Sequence, residues 1–138
     1  GDGWHVGNSA RMFEAAARMG LAYRYSPDPR YVEYIYDQFN WTLGGNPYGI
    51  SLMEGVGKTF PPSYHQRLTF AGVARGAVPG SVVNGITYMA PGDDRPYFDM
   101  RGIDIPSFEC NEVWLPHNTA YLSALSSLQM LNAKVATP

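Results

Sequence analysis

The sequence is poor in charge and in long apolar runs, and each shortage excludes a class of partner. Charged residues make up 16% of the 138 residues and the formal net charge is -2. The basic surface that nucleic acids or anionic membranes attract is therefore missing. No apolar run is long enough to cross a bilayer. We expect neither nucleic acid nor a membrane as a partner.

Several signatures of cofactor and nucleophile chemistry are missing as well. No Gly-x-Gly-x-x-Gly follows a strand and opens a helix, and no Gly-x-Ser-x-Gly elbow occurs. Because Cys110 is the single cysteine, it cannot form an internal disulfide, and we expect a small buried thiol. The acids lack the alternating spacing of a calcium loop, so solvated turn residues are expected at Asp93, Asp94, Asp99 and Asp104. The sequence therefore predicts no metal and no cofactor.

Aromatic residues, in contrast, are abundant, at 14% of the chain with ten tyrosines and three tryptophans. Aromatic rings stack on the apolar faces of sugars while their polar edges form hydrogen bonds, which suits a carbohydrate groove. The same residues suit a packed helical core, where they bury large areas. Composition alone leaves both interpretations open.

Helical periodicity predicts two helices in the first third of the chain. Asn8 and Ser9 are typical of an N-cap, apolar residues then recur at helical spacing, and Gly20 is expected to end this helix. A second helix is predicted over residues 29–43, because Pro29 suits a first turn and two glycines follow the last apolar position.

Between residues 44 and 106 the helical period is lost, because glycines and prolines recur every few residues. A loop this long in a compact domain is uncommon unless it carries a function. Short strands are plausible at residues 81–84 and 87–89. A last helix is predicted over residues 118–132, with a buried stripe of Tyr121, Leu122, Leu125, Leu128 and Leu131.

One carboxylate, Glu112, stands just before this last apolar segment, close to the amide of Asn111, the indole of Trp114 and the imidazole of His117. A carboxyl group with mostly apolar neighbours retains its proton more readily, which suits a general acid near neutral pH. The alternative is a carboxylate that opens the helix and complements the positive end of its dipole.

Four segments in a fixed order extend this observation. They are Leu43-Gly44-Gly45-Asn46-Pro47-Tyr48-Gly49-Ile50-Ser51, Glu54-Gly55-Val56-Gly57, Tyr64-His65-Gln66-Arg67 and Asn111-Glu112-Val113. The series resembles the C-terminal third of the catalytic domain of glycoside hydrolase family 9, the cellulase-type enzymes. The resemblance runs from about residue 36 to residue 131. It implies a mainly α fold, namely part of an (α/α)6 six-hairpin barrel with a long irregular loop region.

The resemblance also implies an inverting hydrolysis of β-glucans or cello-oligosaccharides. Glu112 matches the family's proton donor, which protonates the leaving glycosidic oxygen while water attacks the opposite face of the sugar. His65 and Arg67 match two members of a His-His-Arg run and are expected to hydrogen-bond the substrate. Gln66 stands where the second histidine is usual, which leaves the substrate preference open. For Arg67, an ion pair that pins the loop is an equal alternative.

Further candidates for substrate binding surround these residues. They are Asn111, Trp114, His117 and Tyr48. The three rings could stack on glucose units, although burial in a core is the commoner fate of such side chains. Asn46, Pro47 and Gly49 are expected to form a structural turn, since proline fixes φ and glycine permits a positive φ.

The sequence departs from the family in its second carboxylate. Inversion needs a water-activating carboxylate roughly 6.5 to 9.5 Å from the acid, and the family's Asp-Ala-Gly-Asp run that supplies it does not occur here. Residues 1–138 are therefore expected to be the C-terminal portion of a family 9-like catalytic domain that needs its N-terminal portion as a partner. The resemblance alone implies a secreted or periplasmic location. The rival hypothesis is a non-catalytic carbohydrate-binding or interaction module.

Overall fold

The computed structural model describes residues 6–67, 78–88 and 95–135, and helices dominate this part of the chain. The long helices are α1 (Ser9–Tyr25), α2 (Pro29–Thr42) and α4 (Leu115–Val135), and α3 (Phe108–Asn111) is a single turn. Strand β1 (Thr87–Tyr88) pairs antiparallel with β2 (Pro96–Tyr97), with Thr87 opposite Tyr97. The prediction of a mainly helical chain with a long irregular region before the last helix is confirmed.

Helix α2 follows its predicted course. Pro29 occupies the first turn, and the side chain of Asp28 accepts a hydrogen bond from the backbone nitrogen of Arg30 at 2.9 Å. This cap satisfies one of the amides that a helix N-terminus leaves without a helical partner. The helix ends at Thr42, one residue before the predicted limit.

Helix α1 continues to Tyr25, so the prediction that Gly20 ends it is wrong. Gly20 lies against α4, where a Cβ atom would overlap with the Cβ of Ser127. The glycine is therefore required for close approach of two helices rather than for a helix end. Asn8 occupies the N-cap position, but its side chain makes no cap hydrogen bond within the described residues.

Helix α4 begins at Leu115, earlier than predicted, because Pro116 fits the first turn of a helix. Its buried face differs from the predicted stripe: Leu128 and Leu131 are buried as expected, whereas Leu122 is 62% exposed. The small residues Ala120 and Ala124, which the predicted stripe did not include, are also buried on this helix. None of the helices in the described ranges is long and apolar enough to span a membrane.

The main core forms where the three long helices meet. The ring of Phe13, fully buried on α1, lies 5.3 Å from the ring centroid of Phe39 on α2 and 5.3 Å from that of Tyr121 on α4. Met53 and Val82, from the irregular region, complete this cluster. The helices therefore provide a layer on which the irregular region packs.

A second apolar cluster lies within the irregular region itself. Its buried members are Ile50, Leu52, Tyr64, Val83, Phe98 and Cys110. The buried thiol expected at Cys110 is confirmed, and burial raises its pKa to about 11. The strand predicted over residues 81–84 is present only as isolated bridges, and that over 87–89 as β1, with Met89 outside the described residues.

Candidate functional site

Isolated bridges join four distant segments side by side, and we call this arrangement the ladder: residues 52–53, 82–84, 112–113 and His65. Met53 pairs with Val82, Val83 pairs with Val113, and His65 pairs in parallel with Glu112. Glu112, the candidate acid, lies inside the ladder rather than at its edge, because the segment of His65 lies on one side of it and the segment of Asn84 on the other.

Backbone hydrogen bonds hold the Asn111-Glu112 segment to both of its neighbouring segments. The amide of Asn84 donates to the carbonyl oxygen of Glu112 at 2.9 Å, and the amide of His65 donates to that of Asn111 at 3.0 Å. Paired residues on neighbouring strands present their side chains to the same face. The structure thus brings His65 and Glu112 together although they are far apart in sequence.

Glu112 itself lies between two helices. It is the C-cap of α3, in an extended conformation with φ -71° and ψ 136°, and its side chain is half-buried. Helix α4 begins only at Leu115. Glu112 therefore lies outside the first turn of α4, which contains no acidic residue. This position does not favour a carboxylate that opens the helix and complements its dipole, and that alternative stays a prediction.

The ring of His65 is oriented by the loop that precedes α3. Its Nδ1 lies 2.9 Å from the carbonyl oxygen of Pro106, so Nδ1 carries the hydrogen and donates it. The ring also meets that of Phe108 edge-on at a centroid distance of 6.0 Å. Arg67, two residues further along, is exposed. Its proposed contact with a substrate stays a prediction.

Asn111 is fully buried, and its contacts are structural. Its Nδ2 donates to the carbonyl oxygens of Ser63 at 3.1 Å and Asp99 at 3.0 Å. These bonds hold the segment before His65 and the segment before α3 against the Asn111-Glu112 turn. Buried amides that satisfy backbone carbonyls fix a unique loop geometry. Substrate contact by Asn111 stays a prediction, and full burial gives it no open face.

Asp99 corrects the expectation of a solvated turn acid, because it is only 1% exposed. Its carboxylate accepts bonds from the guanidinium of Arg101 at 2.9 Å and from the amide of Ser107 at 2.7 Å. The Arg101 hydrogen bond is the main reason that the pKa of Asp99 falls to about 2. Asp104 is exposed as expected, and Asp93 and Asp94 lie outside the described residues.

Asp99 therefore stabilises the loop that leads into α3, and sequence reasoning missed it. The available signal was the Asp99-Met100-Arg101 spacing, since an aspartate often accepts a bond from the amide two residues on. That bond is present at 3.1 Å.

The indole of Trp114 is half exposed and held in one orientation. Its Nε1 donates to the Oδ1 of Asn84 at 3.1 Å, and its ring lies 5.7 Å from that of His117 at an angle of 65°. Asn84 is itself buried and donates from Nδ2 to the carbonyl oxygen of Phe108 at 2.6 Å. The expectation of a core ring fails for Trp114, whose half-exposed ring belongs to the second residue after Glu112.

His117, in contrast, is 5% exposed, as expected of a core ring. Burial lowers its pKa, and a backbone hydrogen bond with Val82 opposes this shift. The imidazole is therefore neutral near pH 7. Its ring meets that of Trp114 edge-on, and its own contact with a substrate stays a prediction.

The turn around Asn46 is structural, as predicted. The Asn46 side chain donates to the carbonyl oxygens of Trp41 and Ile50, both at 2.7 Å, and Gly49 adopts a φ of 61°. The hydroxyl of Tyr48 donates to the carbonyl oxygen of Pro96 at 3.1 Å. Tyr48 therefore joins this turn to β2, and any contact of its ring with substrate stays a prediction.

Glu54 is a second buried carboxyl that sequence reasoning did not single out. It is 6% exposed, accepts a hydrogen bond from the amide of Val78 at 2.7 Å, and has its pKa raised by burial. Its backbone amide donates to Ser81 at 2.9 Å. Glu54 thus anchors the outer end of the ladder.

Across the described ranges, no group of three or more metal-ligating side chains is close enough to hold a metal ion.

Comparisons with known proteins identify the family to which this sequence and fold are similar. The family model described as glycosyl hydrolase family 9 matches residues 3–125. The structure of a metagenome-derived family 9 endoglucanase is similar, with a TM-score of 0.61 and 28% identity over 87% of this chain. A zinc-binding triple mutant of the family 9 endoglucanase J30 gives a TM-score of 0.56 and 27% identity over 81% of the chain. No curated protein matches significantly.

The chain spans 23% of the length of the first endoglucanase and 22% of the second. Its helices therefore correspond to a portion of the (α/α)6 barrel that these enzymes have. Since the family model covers most of the sequence, this chain belongs to glycosyl hydrolase family 9.

Proposed function

We propose that the protein is an inverting glycoside hydrolase that acts on β-glucans or cello-oligosaccharides, with Glu112 as its proton donor. The placement of Glu112 carries this proposal. Its backbone is fixed on both sides in the ladder, His65 is its bridge partner, and the half-exposed ring of Trp114 follows two residues later. A glutamate whose backbone is fixed and which precedes a half-exposed aromatic residue by two positions suits protonation of a bound sugar.

In the proposed reaction, the Glu112 carboxyl gives its proton to the glycosidic oxygen as the bond from that oxygen to the anomeric carbon breaks. Water attacks the anomeric carbon from the opposite face and loses a proton to a second carboxylate, roughly 6.5 to 9.5 Å from the first. We propose that this second carboxylate belongs to the part of the catalytic domain outside these 138 residues.

Substrate binding is assigned to the side chains around Glu112. The Trp114 ring, held by Asn84, would stack on the apolar face of one glucose unit. His65 and the exposed Arg67 would hydrogen-bond sugar hydroxyls. Tyr48, whose hydroxyl bonds to Pro96 in β2, would offer a further ring to the substrate. A polymeric glucan lies outside the cytoplasm, so we propose a secreted or periplasmic enzyme.

The apolar groove between α1 and α4 supports the proposal that other helices complete the barrel. One part of it has a volume of about 520 Å³ and is lined by Leu21 and Leu115, which are 50% and 80% exposed. An adjoining part of about 510 Å³ is lined by Leu21 and by Leu122, which is 62% exposed. Exposed apolar patches of this kind mark interaction surfaces. Because the chain spans 23% of a related endoglucanase, we propose that the remaining helices of the catalytic domain cover this groove.

Labelling tests the covered groove directly. A thiol introduced by Leu122→Cys should react slowly with a polar reagent in the complete protein. Tyr25→Cys, at a position that is 90% exposed on α1, should react quickly. Equal rates at the two positions would show that the groove is open.

Glu112→Gln tests the proton donor, because it keeps the side-chain shape but removes the transferable proton. In the complete protein, kcat on cello-oligosaccharides should fall about 10²- to 10⁴-fold with little change in binding. Aryl glycosides with good leaving groups need little protonation and should be affected far less. Glu109→Gln, on the short helix α3 that Glu112 follows, is the matched control.

Two results would count against the assignment. Equal losses on both substrate types, or no loss on either, would remove Glu112 from the acid role. Binding of cello-oligosaccharides without any release of reducing sugar by the unmodified protein would favour a non-catalytic binding module instead.

A further inference from the structure

The C-terminal end of α3 is held by a distant segment of the chain. A single helical turn is not stable alone, and its last carbonyl oxygens have no partner within the helix. The amide of Gly85 donates to the carbonyl oxygen of Cys110 at 2.9 Å, and the side-chain Nδ2 of Asn84 donates to that of Phe108 at 2.6 Å. Asn84 and Gly85 therefore stabilise the turn that Glu112 follows.

The Asn84 side chain has a second partner on the other side of Glu112. Its Oδ1 accepts a hydrogen bond from Nε1 of Trp114 at 3.1 Å, while its backbone amide donates to the carbonyl oxygen of Glu112 itself. Phe108 lies four residues before Glu112, and Trp114 lies two residues after it. One buried amide thus binds the chain on both sides of the candidate acid. We call the two side-chain bonds of Asn84, to Phe108 and to Trp114, the clamp.

The clamp requires both ends of an amide. The indole N–H of Trp114 can only donate and the carbonyl oxygen of Phe108 can only accept, so the residue between them must offer an acceptor to one and a donor to the other. Asn84 does so while fully buried. Because a buried polar group without a partner is costly, the orientation of this amide is fixed.

The clamp is also anchored to the helical layer. The amide of Ser9, at the start of α1, donates to the carbonyl oxygen of Asn84 at 2.9 Å. The approach is close, since a Cβ atom on Gly85 would overlap with the hydroxyl of Ser9. Asn84 therefore links the position of α1 to the turn that carries Glu112.

Proton donation by Glu112 would be sensitive to such positioning. A general acid must come within hydrogen-bond reach of the oxygen that it protonates, roughly 2.6 to 3.2 Å. A displacement of about 1 Å can lower the rate about 10²-fold. The ladder bonds hold the backbone of Asn111 and Glu112, whereas the clamp also restrains the chain before and after them.

We propose that Asn84 is a positioning residue for the hydrolysis, which acts through Glu112 by holding Phe108 and Trp114 in place. This role rests on the proposed function, because it requires Glu112 to be the proton donor. Loss of the clamp should then impair proton donation more than it impairs the other steps of the reaction.

The dependence of kcat on the leaving group tests this role in the complete protein. Asn84→Ala removes the clamp and should lower kcat on cello-oligosaccharides about 10- to 100-fold, because the acid is displaced. On aryl glycosides with good leaving groups, which need little protonation, kcat should fall less than about threefold. In a protein that already carries Glu112→Gln, Asn84→Ala should cause little further loss, since no proton remains to be positioned.

Trp114→Phe keeps the test decisive if Asn84→Ala does not fold. It retains a ring at a half-exposed position and removes only the indole donor. The variant should lower kcat on cello-oligosaccharides about two- to tenfold, as expected for one hydrogen bond, and should leave kcat on aryl glycosides unchanged. An equal loss on the two substrate types would overturn the role.

Asn118→Ala is the matched control. The Nδ2 of Asn118 donates to the carbonyl oxygen of Gly80 at 2.7 Å, and its Oδ1 accepts from the amide of Val82 at 3.2 Å. It forms the same kind of double bond with the same segment of chain, but its partners precede Asn84 and do not flank Glu112. Asn118→Ala should therefore lower the free energy of unfolding and change kcat equally on both substrate types.

Hydrogen exchange measures the clamp without reference to activity. In Asn84→Ala, the indole N–H of Trp114 should exchange faster. The amide of Glu112, which donates to the same Phe108 carbonyl oxygen at 3.3 Å, should do so as well. Neither should change in Asn118→Ala. Unchanged exchange at both groups in Asn84→Ala would overturn the proposal whatever the kinetics show.

The outcomes separate this role from the proposed function. If Glu112→Gln shows the expected dependence on the leaving group while Asn84→Ala lowers kcat equally on both substrate types, Asn84 is only structural and the hydrolase assignment stands. Equal kinetic effects of Asn84→Ala and Asn118→Ala would overturn the role in the same way. If Glu112→Gln itself shows no such dependence, the assignment of the acid fails and the role of Asn84 fails with it.

Discussion

The helical layer and the irregular region are stabilised in different ways. In the helical layer, large apolar rings such as Phe13 and Phe39 pack across three helices. In the irregular region, the half-buried side chain of Asn46 and the buried side chains of Asn111 and Asp99 form hydrogen bonds with backbone groups that belong to no regular strand. The helical layer is therefore held together mainly by apolar packing, whereas side-chain-to-backbone bonds hold the loops around the Glu112 backbone in place.

The largest expected effect belongs to the helical layer. Phe13→Ala should lower the free energy of unfolding of the complete protein by about 3 to 5 kcal/mol, because it removes a fully buried ring and leaves a cavity. Chemical denaturation measures this loss. Tyr25→Ala on the same helix is the control, since that ring is 90% exposed. Similar losses for the two variants would mean that apolar packing does not hold the layer together.

A smaller effect is expected from Asp99→Asn in the irregular region. Removing the charge that accepts bonds from Arg101 and Ser107 should cost about 1.5 to 3 kcal/mol. Hydrogen exchange should become faster at the amides of Ser107 and Asn111 before it changes in α1. Faster exchange in α1 alone would contradict the division between the two regions.

The same residue makes a pH prediction with a defined sign. The pKa of Asp99 is about 2 in the folded chain and about 3.9 in an unfolded one. Its contribution is therefore present above about pH 4 and is lost as the pH falls toward 2. The stability difference between the unmodified protein and Asp99→Asn, measured by denaturation at several pH values, should shrink over that window. A difference that does not change with pH would contradict this prediction.

The smallest effect is expected at the contact of α1 with α4. Gly20→Ala adds a Cβ against Ser127, which should cost about 1 to 3 kcal/mol. The higher helix propensity of alanine offsets up to about 1 kcal/mol of this. The second substitution Ser127→Gly should recover much of the loss. Net stabilisation by Gly20→Ala alone would show that the two helices are not in close contact there.

Sequence periodicity predicted the helical layer because burial on one helix face leaves a local pattern. The course of α2 was readable from Pro29 and the apolar spacing, and it was confirmed almost to the residue. The errors at Gly20 and Leu122 have one cause. Both positions depend on how closely α1 approaches α4, a tertiary property that no local pattern records.

The candidate site was predictable only in part. The ordered motifs identified the segments of His65 and Glu112, and the structure joins them in one bridge. The burial of Asp99 and Glu54 was not predictable, because an acidic residue in a loop is usually solvated and no local pattern records the packing that covers these two. The exposure of Trp114 likewise depends on its bond to Asn84, thirty positions earlier in the chain.

The ladder has a consequence for the order in which the molecule folds. Its bridge between His65 and Glu112 spans 112 - 65 = 47 residues, so closing it costs more chain entropy than joining α1 to α2 across a short turn. We expect the helical hairpin to gain protection first and the amides of His65 and Asn84 last in pulse-labelled hydrogen exchange; the opposite order would contradict this. In a newly synthesised chain, Glu112 would then reach its position beside His65 only after the long helices have packed together.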